Sequence, residues 1–252
     1  MPDGSVAVIT GAGSGLGRQV ACKLAARRDR VVLVGRRKER LADTLELCVA
    51  SGLRTDDCLI IPADITELSA AQYIIGDALK TFGRVDWLVN NAGLSRPAPI
   101  ERAHLGELDQ MVRTNFIGPV ALIQQAVPAL RATCGAIVNI GSIGGVLALP
   151  GRALYGATKA ALHHLTRSLA RELAPDIRVN AVLPGAIDTE MYDDLNLSPH
   201  EVAALRADMI ATTPLGRMGA AEDVVPWIDL LLGPQGRWMT GSLLVVDGGR
   251  SC

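Results

Sequence analysis

The stretch "SVAVITGAGSGLGRQVACKLAARR" (residues 5–28) decides the fold. It opens on an apolar run of strand length (5–10) and turns through Gly11, Gly13, Gly15 and Gly17. Apolar residues then recur at three- and four-residue spacing, the period of a helix. Glycine tolerates the positive φ of a tight turn and lets a ligand approach the main chain. The next helix points its free N–H groups and partial positive charge at that turn, a place that suits a pyrophosphate. The spacing is G-x-x-x-G-x-G, not the G-x-G-x-x-G of the common dinucleotide fingerprint. A glycine-rich turn alone is a weak signal, and its position after a first strand strengthens it. Gly11, Ser14, Gly15, Leu16 and Gly17 are therefore candidate cofactor contacts.

The same alternation runs on. "VVLVG" (31–35), "CLIIPAD" (58–64), "DWLVNNAG" (86–93), "AIVNIGS" (136–142), "RVNAVLPG" (178–185) and "SLLVVDGG" (242–249) are further strand-length runs. Helical patterns fill 38–51, 69–81 and 104–134, and another starts at Tyr155 and stops at Pro175, which cannot continue it. The strands are continuously apolar, which means burial on both faces and a parallel sheet covered by helices on each side. The expected fold is α/β, a Rossmann-type doubly wound, seven-stranded parallel sheet in one domain over 1–252. Residues 186–215, with "NLSPHE" and "TTPLG", read as a loop with a small helix and a lid over the substrate. The chain from there to the last strand reads as loose.

Bulk composition narrows the function. Hydrophobic residues are 49% of 252, enough for a sizeable core, and the net charge of −1 gives no basic footprint for nucleic acid. Aromatic residues at 3% leave few stacking platforms for single strands. Five widely spaced cysteines without a C-x-x-C pair read as reduced thiols, with no disulfide frame and no zinc site. The N-terminus shows no basic-then-apolar signal pattern, and no long apolar run occurs after it. The expectation is a cytoplasmic protein with no membrane partner and no metal.

The end of the second strand bears on which dinucleotide binds. An acidic residue there would hold a ribose 2′-OH. This chain has "GRRKERL", with Gly35 at that position and then Arg36, Arg37 and Lys38. Cations at a helix N-terminus are mildly unfavourable. A 2′-phosphate held by the forks of Arg36 and Arg37 would offset that cost. NADP(H) is the expected cofactor, with NAD(H) as the alternative if these residues are only a solvated helix start.

Only three tyrosines and four lysines occur, yet Tyr155 and Lys159 stand four apart at the start of a helix and share a face of it. A free phenol titrates at about 10, too high for efficient proton exchange near neutrality. An ammonium about 4 Å away contributes about 4 kcal/mol at an effective dielectric of 20, which would bring the phenol near 7. Ser142 ends the preceding strand at the carboxyl edge, where doubly wound sheets bind ligands. Asn115, in "VRTNFIG", falls inside a predicted long helix where an amide is a poor fit, so a functional kink there is credible.

Over nearly its full length the chain resembles a short-chain dehydrogenase/reductase of about 250 residues. "TGAGSGLG" resembles that family's TGxxxGxG cofactor loop. "AD" at 63–64, with Ile65 next to it, resembles the segment where Asp64 meets adenine. "NNAG" resembles the segment beside the nicotinamide ribose, with Asn91, Ala92 and Gly93. Asn115, Ser142, Tyr155 and Lys159 match the catalytic tetrad. Pro184, Gly185, Ile187 and Thr189 resemble the contact to the nicotinamide amide.

The resemblance implies that Tyr155 is the general acid/base and Ser142 polarises the carbonyl. It implies that Lys159 lowers the Tyr155 pKa and binds the ribose, and that Asn115 holds a relay water. It also implies a homotetramer or homodimer packed through helices such as 104–134 and 155–174. His163 and His164 read as interface or surface residues, and Arg96 and Arg152 as the rim of the pocket. Ser95, Ile143, Leu147, Ala186, Met191 and Tyr192 are candidates for setting specificity.

The leading expectation is an NADP(H)-dependent oxidoreductase that reversibly reduces a small-molecule ketone to a secondary alcohol. A 3-oxoacyl-(acyl-carrier-protein) reductase is the alternative within that class. A dinucleotide-sensing binding protein is the non-enzymatic alternative, disfavoured by the presence of both Tyr155 and Lys159. An epimerase or dehydratase of the longer related branch would need a further substrate domain for which the chain has no room.

Overall fold

The structure, a computed structural model, describes residues 4–195 and 197–252. The reading of the N-terminus therefore lies partly outside the described residues, as does position 196 of the 186–215 segment. Seven strands form one parallel sheet: β1 (Val6–Thr10), β2 (Arg30–Gly35), β3 (Cys58–Pro62), β4 (Trp87–Asn90), β5 (Ala136–Ile140), β6 (Arg178–Pro184) and β7 (Leu243–Val246). Their order is β3-β2-β1-β4-β5-β6-β7. The order reverses at β1, so the crevice between β1 and β4 opens at the carboxyl ends of the strands, where such sheets bind ligands.

Alternation within each strand explains the two covered faces. Val6 and Val8 of β1 face one way, with Val32, Leu88, Ile137 and Val179 of neighbouring strands. Helices α3 (Leu68–Phe82), α5 (Gly118–Ala132) and α6 (Ala153–Glu172) close that side with Ile74, Leu122, Leu130 and Ala170. Ala7 and Ile9 face the other way, under α1 (Gly15–Ala25), α2 (Lys38–Ala50) and α8 (Ala221–Leu232), which add Val20, Leu24, Leu41 and Ile228. All of these side chains are buried, so both faces of β1 are dry, as a continuous apolar run requires.

The loose stretch expected after 215 is corrected here, because it contains α8. Pro226 lies inside that helix and interrupts the period by which a helix is read. Its apolar stripe, Val224, Val225, Ile228 and Leu231, nevertheless covers β5 and β6. The long helix expected over 104–134 is divided as well. It runs as α4 (Leu105–Val112), a π-helical segment Arg113–Ile117, and α5. The segment 186–215 carries a 3-10 turn, Glu190–Asp194, and α7 (Pro199–Ala211), started by a capping box between Ser198 and Glu201. Tyr192, Leu195 and Met209 form a small core of their own beside Ala186.

Candidate active site

The glycine turn is built by positive φ at Gly11 (+65°) and Gly15 (+47°), which only glycine adopts without strain. Ser14 caps α1 without a side-chain bond, and the first turn of α1 has no acidic residue. The helix end holds an anion even so. Glu190 Oε2 accepts the Gly15 N–H at 3.0 Å, and Arg18 stands 3.9 Å from the same carboxylate. A site that takes a carboxylate on its main-chain N–H has the donor set a pyrophosphate needs. Gly17 lies beneath the turn, where a Cβ would collide with Gly11 O and the amide of Asn91. Asn91 turns its amide inward, with Nδ2 donating to Thr10 O at 2.8 Å and Gly11 O at 3.3 Å.

One cleft of about 680 Å³ runs from this turn along the carboxyl edge of the sheet. Its first end is lined by Gly35, Arg36, Arg37, Arg40, Asp64 and Ile65. Arg36 and Arg37 are exposed and have no acidic partner among the described residues, and α2 has no side-chain cap. Asp64 Oδ1 accepts the Thr66 N–H at 2.9 Å and its hydroxyl at 2.8 Å, which fixes the carboxylate at the cleft edge. The other end is lined by Asn91, Ala92, Gly93, Ser142, Tyr155, Lys159, Pro184, Gly185, Ile187 and Thr189. Of the cofactor and catalytic candidates, Gly17 and Asn115 do not line the cleft, nor do Ile143, Leu147 and Ala186 of the specificity set or the rim candidates Arg96 and Arg152.

At the second end α6 grips the end of β5. Lys159 Nζ donates to Ile140 O at 2.8 Å. Ser142 is extended (φ −169°, ψ 149°), and its Oγ accepts the Gly144 N–H at 3.0 Å. The expected acidic phenol is corrected by this geometry. Burial holds the Tyr155 hydroxyl above its ordinary pKa, while a hydrogen bond from Ser142 and the charge of Arg152 act the other way. Lys159 Nζ is 5.9 Å from the centre of the Tyr155 ring and turned to a carbonyl. Its own pKa falls to about 8 because the ammonium is desolvated.

Asn115 sits in the π segment, 1% exposed, with its amide fully engaged. Its Oδ1 accepts the Leu94 N–H at 2.8 Å, and its Nδ2 donates to Leu94 O at 2.8 Å and to Thr158 Oγ1 at 3.0 Å. The amide thus ties the π-helical segment to the loop after β4 and to α6.

His163 is a second correction. It is buried, and its Nε2 accepts the Ser142 N–H at 3.4 Å. Burial, with the charges of Lys159 and Arg167, lowers its pKa to about 4. Its i+8 spacing from Tyr155 was the signal in the sequence, since 155, 159 and 163 lie along one face of α6. His164 is exposed, in line with the surface reading. Arg40 and Glu190 line the cleft without having been singled out, and Ser95, Met191 and Tyr192 do so from the specificity set. Arg96 Nη1 donates to Ser95 O at 3.1 Å. Among the described residues no helix is long and apolar enough to cross a membrane, and no cluster of three metal-ligating side chains occurs.

Comparison with known proteins adds to this geometry. A family model described as enoyl-(acyl carrier protein) reductase matches residues 11–251. The rhamnolipids biosynthesis 3-oxoacyl-(acyl-carrier-protein) reductase of Pseudomonas aeruginosa is 35% identical over 253 residues, covering 98% of this chain and 96% of that protein. Carbonyl reductase family member 4 of Danio rerio is 38% identical over 245 residues, covering 97% of each. A solved short-chain dehydrogenase/reductase of unknown function from Caenorhabditis elegans, with cofactor, superposes with a TM-score of 0.92 at 30% identity, covering 98% of this chain and 95% of that one.

Proposed function

The chain belongs to the short-chain dehydrogenase/reductase family and is an NAD(P)(H)-dependent oxidoreductase acting between carbonyl and alcohol groups, and from that premise we propose that it reduces a ketone with NADP(H), using Tyr155 as the general acid. The observation that carries this reading is convergence. Tyr155, Lys159 and Ser142 line the same cleft as the glycine turn and the paired arginines.

The residues fit the cofactor along the whole cleft. The N–H groups at the start of α1 would hold the pyrophosphate, and Arg36 and Arg37 the 2′-phosphate. Asp64 and Ile65 would flank the adenine. Asn91 to Gly93 with Lys159 would border the nicotinamide ribose, and Pro184, Gly185, Ile187 and Thr189 the amide. When bound, the reduced nicotinamide supplies the hydride. Ser142 would donate a hydrogen bond to the carbonyl oxygen and orient it. The Tyr155 hydroxyl would give that oxygen a proton as negative charge develops on it, and the charged form of Lys159 would stabilise the phenolate left behind. A neutral phenol kept protonated by burial suits the direction of reduction. Asn115, its amide committed to Leu94 and Thr158, would hold the loop after β4 in place beside this group.

The names of the relatives favour a second reading of the substrate, a 3-oxoacyl thioester on an acyl carrier. The five free cysteines would suit a reducing compartment such as the cytoplasm. A panel of ketones that includes an acetoacetyl thioester, monitored by loss of NADPH absorbance and repeated with NADH, tests both choices. Turnover of a panel ketone with NADPH preferred is expected. Oxidation of neither cofactor by any panel member would contradict the reading.

A further inference from the structure

Two polar groups, one in the loop after β4 and one at the start of α6, are buried without a partner. Ser95 is 2% exposed and lines the cleft, yet its Oγ has no hydrogen-bond partner among the described residues. Arg152 Nη2 is likewise buried and unpartnered. The two belong to loops that are held together, since the Ala98 N–H donates to Gly151 O at 2.8 Å. Arg152 is the N-cap of α6, three residues before Tyr155, and its charge acts on the Tyr155 hydroxyl. That charge also reaches Tyr192, which lines the cleft from the 186–215 segment.

An arginine at a helix N-terminus opposes the helix dipole, and an unpaired guanidinium edge out of water costs more. The neighbouring cations are satisfied: Arg206 is paired with Asp188 and Arg250 with Asp208. Arg152 has no acid among the described residues. A hydroxyl donor and a guanidinium fork together match a carboxylate better than any uncharged group.

We propose that Arg152 and Ser95 form a subsite for a carboxylate on the substrate, so that the enzyme works on short oxo acids and the corresponding hydroxy acids. The inference rests on the reductase reading above. The carbonyl carbon accepts hydride from the nicotinamide, the oxygen takes the Tyr155 proton, and the carboxylate leaves unchanged.

The test uses matched pairs, acetoacetate, pyruvate and levulinate against their methyl esters, with NADPH. At least one acid is expected to exceed its ester in kcat/KM by about tenfold or more, the worth of one charge-assisted contact. Arg152→Gln is expected to remove that advantage, costing each such acid about tenfold more in kcat/KM than its ester, whatever the shared loss from the missing charge beside Tyr155. Binding of acetate or malonate to the enzyme–NADP+ complex, read by calorimetry, should vanish in the same variant. Esters reduced as well as acids, or equal losses for both in Arg152→Gln, would overturn the inference alone and leave the reductase reading standing. Absence of carboxylate binding to the wild-type complex would overturn it even if no panel member is turned over. Failure of every ketone, acids and thioester included, would sink the reductase reading instead.

A separate observation carries a second inference. β5 ends at Ile140, so the Ser142 N–H lies past the sheet ladder and needs another acceptor. His163 Nε2 supplies it, which places the ring proton on Nδ1. Lys159 grips Ile140 O one turn earlier on the same face, so α6 clamps the chain on both sides of Gly141. Gly141 and Gly145 leave the room the imidazole fills, since a Cβ at either position would collide with the ring.

We infer that His163 is a positioning residue that fixes Ser142 in its extended conformation. His163→Leu keeps bulk but removes the acceptor, and His163→Gln restores one. His163→Leu is expected to lower kcat about tenfold with the panel ketone reduced fastest, with KM and NADPH affinity unchanged. Gln should recover most of the loss. In a Ser142→Ala background His163→Leu should cost nothing more. Equal cost in both backgrounds, or Gln no better than Leu, would refute the role; His163→Met replaces Leu if that variant does not fold. Full activity in Ser142→Ala would instead remove the role assigned to Ser142.

Discussion

At the residue scale, the chemistry turns on how burial treats three neighbours on one helix face. Tyr155 is kept protonated, Lys159 is driven toward neutrality and His163 is held neutral. Lys159 has a consequence for stability. Its pKa is about 8 when folded against 10.5 ordinarily. Between those values the unfolded chain binds a proton that the folded chain has released, so this residue makes stability rise with pH across that window. Urea unfolding of wild type and Lys159→Met from pH 7 to 10.5 should show the difference moving in favour of wild type by up to about 3 kcal/mol. A constant difference would mean the ammonium is not desolvated. At the other end of the cleft, Arg36→Ala with Arg37→Ala should weaken NADPH by about tenfold or more and NADH by much less, read by fluorescence titration. Equal losses would argue for NAD(H). The pairing of Tyr155 with Lys159 was legible because helical period alone puts them on one face. Their separation and the depth of burial were not, because both depend on β5 and the loop after it packing over α6.

At the scale of elements, the strand–turn–helix at the N-terminus could be read directly, since apolar continuity, glycines and helical period all agree there. Two elements could not. Pro226 masked α8, whose place is set by the exposed side of β5 and β6 that it must cover. Asn115 marked a disturbance, but its form, a π segment bonded to Leu94 and Thr158, comes from partners distant in sequence. The 186–215 segment is joined to the cofactor end through Glu190 on Gly15 N–H. A carboxylate there competes with any phosphate for the same donor and repels it. Glu190→Gln is therefore expected to tighten NADPH binding about threefold to tenfold by calorimetry, and weaker binding would show that the contact instead supports the cofactor. If the segment closes as a lid, cofactor with product should slow its proteolysis.

At the scale of the molecule, order β3-β2-β1-β4-β5-β6-β7 brings the ends of β1, β4, β5 and β6 to one edge, which is why motifs spread from Gly11 to Thr189 share a cleft. Assembly belongs to this scale too. β7 is an edge strand, and Val245 on it, Trp238 before it and Trp227 on α8 are exposed. Apolar side chains so placed favour contact between copies. Light scattering should give a dimer or tetramer, and Trp238→Asp with Val245→Lys should lower the mass; a wild-type monomer would contradict this. Tyr155→Phe, which removes one hydroxyl from the cleft, tests the central claim most directly. Its kcat should fall by about a hundredfold or more while NADPH binds with unchanged affinity. Retained turnover would place the acid elsewhere and contradict the account.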